Sequence, residues 1–86
     1  MTYTVQVAQR AAKALRRMDR ATRERIQDRL LQLAKDPFDG RVSKRLKGMV
    51  GMRSSRVGDW RILYTVVVDK VVVLVTAVRP RGSAYR

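Results

Sequence analysis

The sequence predicts an α+β domain: an N-terminal strand, an αα-hairpin, and then a three-stranded antiparallel meander with the helices packed on one face of the sheet. Three observations lead there. The apolar period is two at residues 2–7, shifts to helical spacing over residues 8–35, and reverts to alternation and β-branched runs after residue 52. Gly and Pro fall at the joints between these stretches. Eighty-six residues hold one core, so residues 1–86 read as one domain.

Each element follows from its residues. In residues 2–7, Tyr3, Val5 and Val7 share one face, as in a short strand. Ala8, Ala11, Leu15 and Met18 then recur at helical spacing, with Arg10, Lys13, Arg16, Arg17 and Arg20 elsewhere on the cylinder. Asp19 interrupts and is placed to cap a second helix over residues 21–35, whose stripe is Ile26, Leu30, Leu33 and Ala34. Asp36-Pro37 and Gly40 end it. Residues 44–47 are a short segment punctuated by Gly48 and Gly51, and residues 52–57 form the next strand. Gly58-Asp59 turns into a strand over 60–67, and Val68-Asp69-Lys70 turns into the last, over 71–78. Pro80 and Gly82 close the sheet and leave a basic tail.

Composition narrows the chemistry. Hydrophobic residues make up 45% of the chain, enough for a core, while 20 Lys and Arg against 7 Asp and Glu leave a net charge of +13. Self-repulsion of that size works against the compact state, so a polyanionic partner is expected: nucleic acid first, an acidic protein second. A membrane surface comes third and is not the expected partner, because no basic stretch carries the aromatic and leucine-rich opposite face of an interfacial helix. With no Cys and no His, disulfides, thiolate chemistry and the commonest general base and metal ligand are all missing. The carboxylates show no metal-ligand spacing, so neither metal nor cofactor is expected. No signal peptide or membrane span is expected, which points to the cytoplasm.

The charge is unevenly divided. Residues 1–43 carry ten basic and five acidic residues, residues 44–86 ten basic and two acidic, so the excess concentrates in the sheet half. Lys44, Arg45 and Lys47 precede the sheet, Arg53 and Arg56 lie on its second strand, and Arg79, Arg81 and Arg86 leave its last. Arg61 sits among apolar residues: by alternation Ile62, Tyr64 and Val66 take the core face, leaving Arg61 on the open one. In an antiparallel meander the start of one strand lies beside the end of the next, so Arg61 should meet Arg79 and Arg81 at one end of the sheet. Charged side chains that merely guard a sheet rim against aggregation account for Lys70, Arg45 and Lys44. They account poorly for Arg61, which is neither at an edge nor near a carboxylate other than Asp59. The helix arginines Arg16, Arg17, Arg20, Arg23, Arg25 and Arg29, interspersed with Glu24 and Asp28, read as a solvated face.

Lys44-Arg45-Leu46-Lys47-Gly48, then Arg56-Val57-Gly58-Asp59-Trp60-Arg61-Ile62-Leu63-Tyr64, then the valine hairpin and the terminal Arg79-Pro80-Arg81-Gly82-Ser83-Ala84-Tyr85-Arg86 together resemble the RelE/ParE toxin superfamily of bacterial type II toxin–antitoxin modules, the RelE branch more closely. The resemblance covers the whole chain. It implies a toxin that cleaves mRNA in the ribosomal decoding site, restrained by a cognate acidic antitoxin, with any contact to operator DNA running through that antitoxin. The reaction it implies is metal-independent: the ribose 2′-hydroxyl attacks the adjacent phosphate to give a 2′,3′-cyclic phosphate and a free 5′-hydroxyl. By the resemblance Arg61 contacts the scissile phosphate, Arg81 acts as acid or transition-state stabiliser, and Tyr85 stacks on a base or moves the 2′-hydroxyl proton. Lys44, Lys47, Arg53, Arg56, Arg79 and Arg86 are the expected RNA-binding cations. Two lysines of RelE prototypes align with Met52 and Ser54 here, which leaves the general base open, with Lys44 or Lys47 as substitutes from a different place. Two other readings stand beside this one: a ParE-like inhibitor of DNA gyrase, and an RNA-binding module without catalysis.

Overall fold

The computed structural model describes residues 2–80. The chain runs through β1 (Thr4–Val7), α1 (Gln9–Arg16), α2 (Arg20–Lys35), β2 (Lys44–Arg45), β3 (Met52–Val57), β4 (Trp60–Val67), a 3₁₀ turn at Val68–Lys70, and β5 (Val72–Pro80). Asp19 caps α2 as its position suggests: its carboxylate accepts from the Thr22 backbone N–H at 3.1 Å and from the Thr22 hydroxyl at 2.6 Å. These bonds, the hydroxyl's first, hold the Asp19 carboxyl below its ordinary range. Met18 falls just past α1 rather than within it, yet stays buried where the two helices meet.

All five strands form one sheet, in the order β1-β5-β4-β3-β2. The meander β3-β4-β5 is antiparallel, as expected. Two outer strands join it, beyond the three expected. β1 pairs in parallel with β5, Thr4 opposite Val72 through Val7 opposite Val75. The two-residue β2 pairs antiparallel with β3, Lys44 opposite Ser54 and Arg45 opposite Arg53. The valine-rich strands β5 and β4 are therefore interior, where β-branched side chains pack best.

Both helices lie on one face. Ala11 and Leu15 of α1 and Ile26, Leu30 and Leu33 of α2 pack on Val57, Ile62, Tyr64, Val73, Val75 and Val78. Ile62 and Tyr64 take the core face of β4, as their alternation predicts, fully buried against the helices. On β5 the alternation breaks. Leu63 pairs with Ala77 but Tyr64 with Val75, so Thr76 is an extra residue in a β-bulge. Its carbonyl accepts from Arg10 Nε of α1 at 3.1 Å, and its hydroxyl donates to the Leu63 carbonyl at 3.2 Å. Before the bulge the core residues are Val73 and Val75; after it the core residue is Val78. Strict alternation would carry Arg79 to the helix side with Val73 and Val75. The inserted residue returns it to the open face.

Candidate nucleic-acid interface

The bulge completes a row. Arg56 pairs with Arg61 across β3 and β4, and Arg61 pairs with Arg79 across β4 and β5. Three arginines therefore stand side by side on the face away from the helices, one on each strand of the meander. Directly opposed residues have Cβ atoms only about 4.5–5.5 Å apart, and like charges at that spacing oppose pairing. Such a row costs the isolated fold stability and offers three planar, permanently charged donors to an anion. The expected approach of Arg61 to Arg79 is met by their register; Arg81, Tyr85 and Arg86 lie outside the described residues.

Beside the row a cleft of about 620 Å³ opens between residues 40–47 and the β3–β4 floor. Its cations are Arg29, Arg41, Lys44, Arg45, Lys47, Arg56 and Arg61, and no carboxylate is among its lining residues. Lys44 and Lys47 stand on the wall, Arg56 and Arg61 on the floor. Arg41 is tied to Asp39, Nη2 to Oδ2 at 2.9 Å and Nε to Oδ1 at 3.1 Å. This pairing, led by the hydrogen bond, holds the Asp39 carboxyl below its usual range. Among the described residues no group of three or more His, Cys, Asp or Glu is placed to hold a metal.

The wall is fastened from underneath. The Tyr64 hydroxyl, fully buried, donates to the Pro37 carbonyl at 2.7 Å and is also hydrogen-bonded to Ser43 Oγ. Arg53 Nε donates to the same Ser43 oxygen at 2.7 Å, and its guanidinium lies 5.2 Å from the Phe38 ring centroid. Arg53 pairs with Tyr64 and so belongs to the helix side of the sheet. The structure brings together Lys44, Lys47, Arg56, Arg61 and Arg79, and separates Arg53 from them.

Arg29 was not legible as part of this site. Its Nη1 donates to Ser55 Oγ at 2.9 Å and to the Arg56 carbonyl at 2.7 Å, while Nε donates to Gln32 Oε1 at 2.8 Å. One α2 side chain thus clips the backbone of β3 at the start of the arginine row. The available signal was spacing: Arg29 flanks the Ile26, Leu30 and Leu33 stripe, so it leans toward the sheet rather than into solvent. Across the 46–51 turn lies a second surface, an apolar groove of about 660 Å³ that includes Phe38, Met49, Val50 and Val68, all four largely exposed, with Arg45 and Arg53 also lining it.

The family described as "ParE toxin of type II toxin-antitoxin system, parDE" matches residues 5–85. Among solved structures, the toxin in the archaeal RelE–RelB complex of Pyrococcus horikoshii OT3 is similar over 96% of this chain and 99% of that one, at 26% identity and a TM-score of 0.82. The intact E. coli RelBE complex matches over 91% and 95% at 26% identity and a TM-score of 0.80. The isolated E. coli RelE toxin matches over 96% and 90%, at 26% identity and 0.79. No curated protein matches the sequence. A match over nearly the whole chain, on a fold shared with RelE toxins, makes this chain a member of the ParE toxin family within the RelE/ParE superfamily, a toxin of a type II toxin–antitoxin system.

Proposed function

We infer that this toxin is a ribosome-dependent mRNA endonuclease. The observation that carries the reading is the in-register row Arg56, Arg61 and Arg79 beside a cleft whose lining holds cations and no carboxylate. Cleavage by the 2′-hydroxyl passes through a phosphorane whose extra negative charge is concentrated on phosphate oxygens. Preorganised arginines stabilise that charge without giving up a proton. Arg61, central in the row, grips the scissile phosphate. Arg56, Arg79, Lys44 and Lys47 hold the flanking backbone, and Arg53 and Arg86 add further contacts to the RNA. Arg81 adds to the stabilisation of the transition-state charge, and Tyr85 stacks on a base. The ribosome positions the message, supplying orientation that a site without His or Glu does not provide by itself.

The partner side follows from charge. An acidic antitoxin segment, ordering as it binds, would neutralise the cationic face, and the RelE relatives named above occur with RelB. The groove beside Arg45 and Arg53 offers that segment an apolar contact.

The test is translation in a cell-free bacterial extract, with new 5′ ends mapped on the message. Wild type should cut within translated codons. Arg61→Ala should lower cutting about 10²–10³-fold, as removal of a transition-state donor does. Arg81→Ala combined with Tyr85→Phe should do likewise. Intact message with normal translation would overturn the reading. The family match to ParE favours DNA gyrase as the second target, so supercoiling is measured in parallel. RNA binding without cutting would leave the third reading, a salt-sensitive RNA-binding module.

A further inference from the structure

We propose that Lys44 is the proton acceptor of this site, placed there by the edge strand β2. The inference rests on the endonuclease reading, in which some group must take the 2′-hydroxyl proton beside the gripped phosphate. A guanidinium does not serve, because it keeps its proton at any pH the protein meets. Among the described residues lining the cleft, the side chains that can accept a proton strongly enough are the amines of Lys44 and Lys47. Lys47 stands in the turn beyond β2; Lys44 is in the sheet itself.

Register gives Lys44 its place. It pairs with Ser54, Ser54 with Leu63, and Leu63 with Ala77, a rung next to the Arg56, Arg61 and Arg79 rung and on the same face. Lys44 is therefore the diagonal neighbour of Arg56, at a spacing of about 7–8 Å that a long side chain spans. Ser54, opposite Lys44 and two residues before Arg56 on this face, is small and buried.

The place of Lys44 is held through the residue before it. Ser43, one residue earlier and so facing the other way, is hydrogen-bonded to Tyr64 below and to Arg53 beside it. Tyr64 lies three residues along β4 from Arg61, on the opposite face. A single strand thus sets both the phosphate grip above and, through Tyr64 and Ser43, the wall that bears the amine. A proton-transfer group needs such support to stay within reach of one oxygen.

The step balances without a co-reactant. A Lys44 amine that has first given its proton to solvent takes the 2′-hydroxyl proton and becomes an ammonium. The 2′-oxygen forms a bond to phosphorus as the bond from phosphorus to the 5′-oxygen breaks. That oxygen takes a proton from water, and the ammonium returns its own to solvent, leaving a 2′,3′-cyclic phosphate and a 5′-hydroxyl.

The experiment compares wild type with Lys44→Arg, Lys44→Ala and Tyr85→Phe. Cleavage is read in the translating extract, and binding is read with a single-stranded RNA oligonucleotide carrying 2′-deoxy sugars, which cannot be cut by this route. Lys44→Arg keeps the charge and removes the acceptor. Its cleavage should fall about 10²–10⁴-fold while its affinity stays within about threefold of wild type. Ethylamine added to the extract should restore part of the cleavage of Lys44→Ala and none of that of Lys44→Arg. Wild-type cleavage by Lys44→Arg would overturn the proposal and leave the endonuclease reading standing. So would parallel losses of affinity and cleavage, or a loss confined to Tyr85→Phe. Absence of cleavage by the wild type would overturn both.

Discussion

Tyr64→Phe removes one oxygen from the interior and leaves the ring in place. That oxygen donates to the Pro37 carbonyl at 2.7 Å and is bonded to Ser43 Oγ. Pro37 is as deeply buried as Tyr64, so its carbonyl loses its donor where water does not replace it easily. Ser43 keeps Arg53 Nε at 2.7 Å and loses less. One net hydrogen bond at about 0.5–1.5 kcal/mol, with one stranded buried acceptor at about 1–3 kcal/mol, gives a destabilisation of about 2–4 kcal/mol. In a domain of this size each kcal/mol lowers Tm by about 4–8 °C, so the variant should melt well below wild type. Ser43→Ala leaves the Tyr64–Pro37 bond intact and should cost about 1 kcal/mol. The double variant should fall short of the sum by about 0.5–1.5 kcal/mol, because the two substitutions delete a shared bond. Urea unfolding at fixed pH measures all three. A loss below about 0.5 kcal/mol for Tyr64→Phe, or strict additivity with Ser43→Ala, would refute the view that this hydroxyl fastens the wall.

Gly58 turns β3 into β4 at φ +56°, and a Cβ there would lie 3.1 Å from Arg25 Nη2. Gly58→Ala should cost about 1–2 kcal/mol in the same urea titration. Val71, at φ 56°, is a β-branched residue in the left-handed region closing the 3₁₀ turn. Val71→Asn should raise stability by about 0.5–1 kcal/mol, read from the urea midpoint, because Asn tolerates that conformation. Asp19 has a folded-state pKa below its ordinary value, so its charged cap stabilises above the unfolded-state pKa, and that contribution is lost as pH falls through the folded-state one. Asp19→Asn should therefore be less stable than wild type at neutral pH and converge with it in acid, as thermal melts across the acid range would register.

The elements legible in the sequence were those with a period long enough to count. The helices appeared through Ala11, Leu15, Ile26, Leu30 and Leu33, and the meander through its valines and the Gly58 turn. What stayed hidden depends on partners distant in the chain. Lys44 and Arg45 are a strand only because Ser54 and Arg53 lie across from them, and two residues have no readable period. The pairing of β1 with β5 is fixed by where the helices lay the chain down, which no local pattern records. At the site, the meeting of Arg61 with Arg79 was legible from topology alone. The helix-side position of Arg53 follows from an odd spacing to Arg56 that a count of cations ignores, and the grip of Arg29 on β3 is an inter-element contact. Lys44 looked like a rim charge for the same reason: its neighbours come from other strands.

The extra residue at Thr76 sets the parity of β5. Gain or loss of one residue between Val75 and Arg79 would reverse that parity and carry Arg79 into the helix-covered layer, with every arginine of the chain still present. Over this stretch, length matters as much as residue identity. A relative that keeps all the cations and lacks the insertion would align well and still present a different face to its partner. The spacing from Val75 to Arg79 is then a better mark of a working site than the arginines themselves.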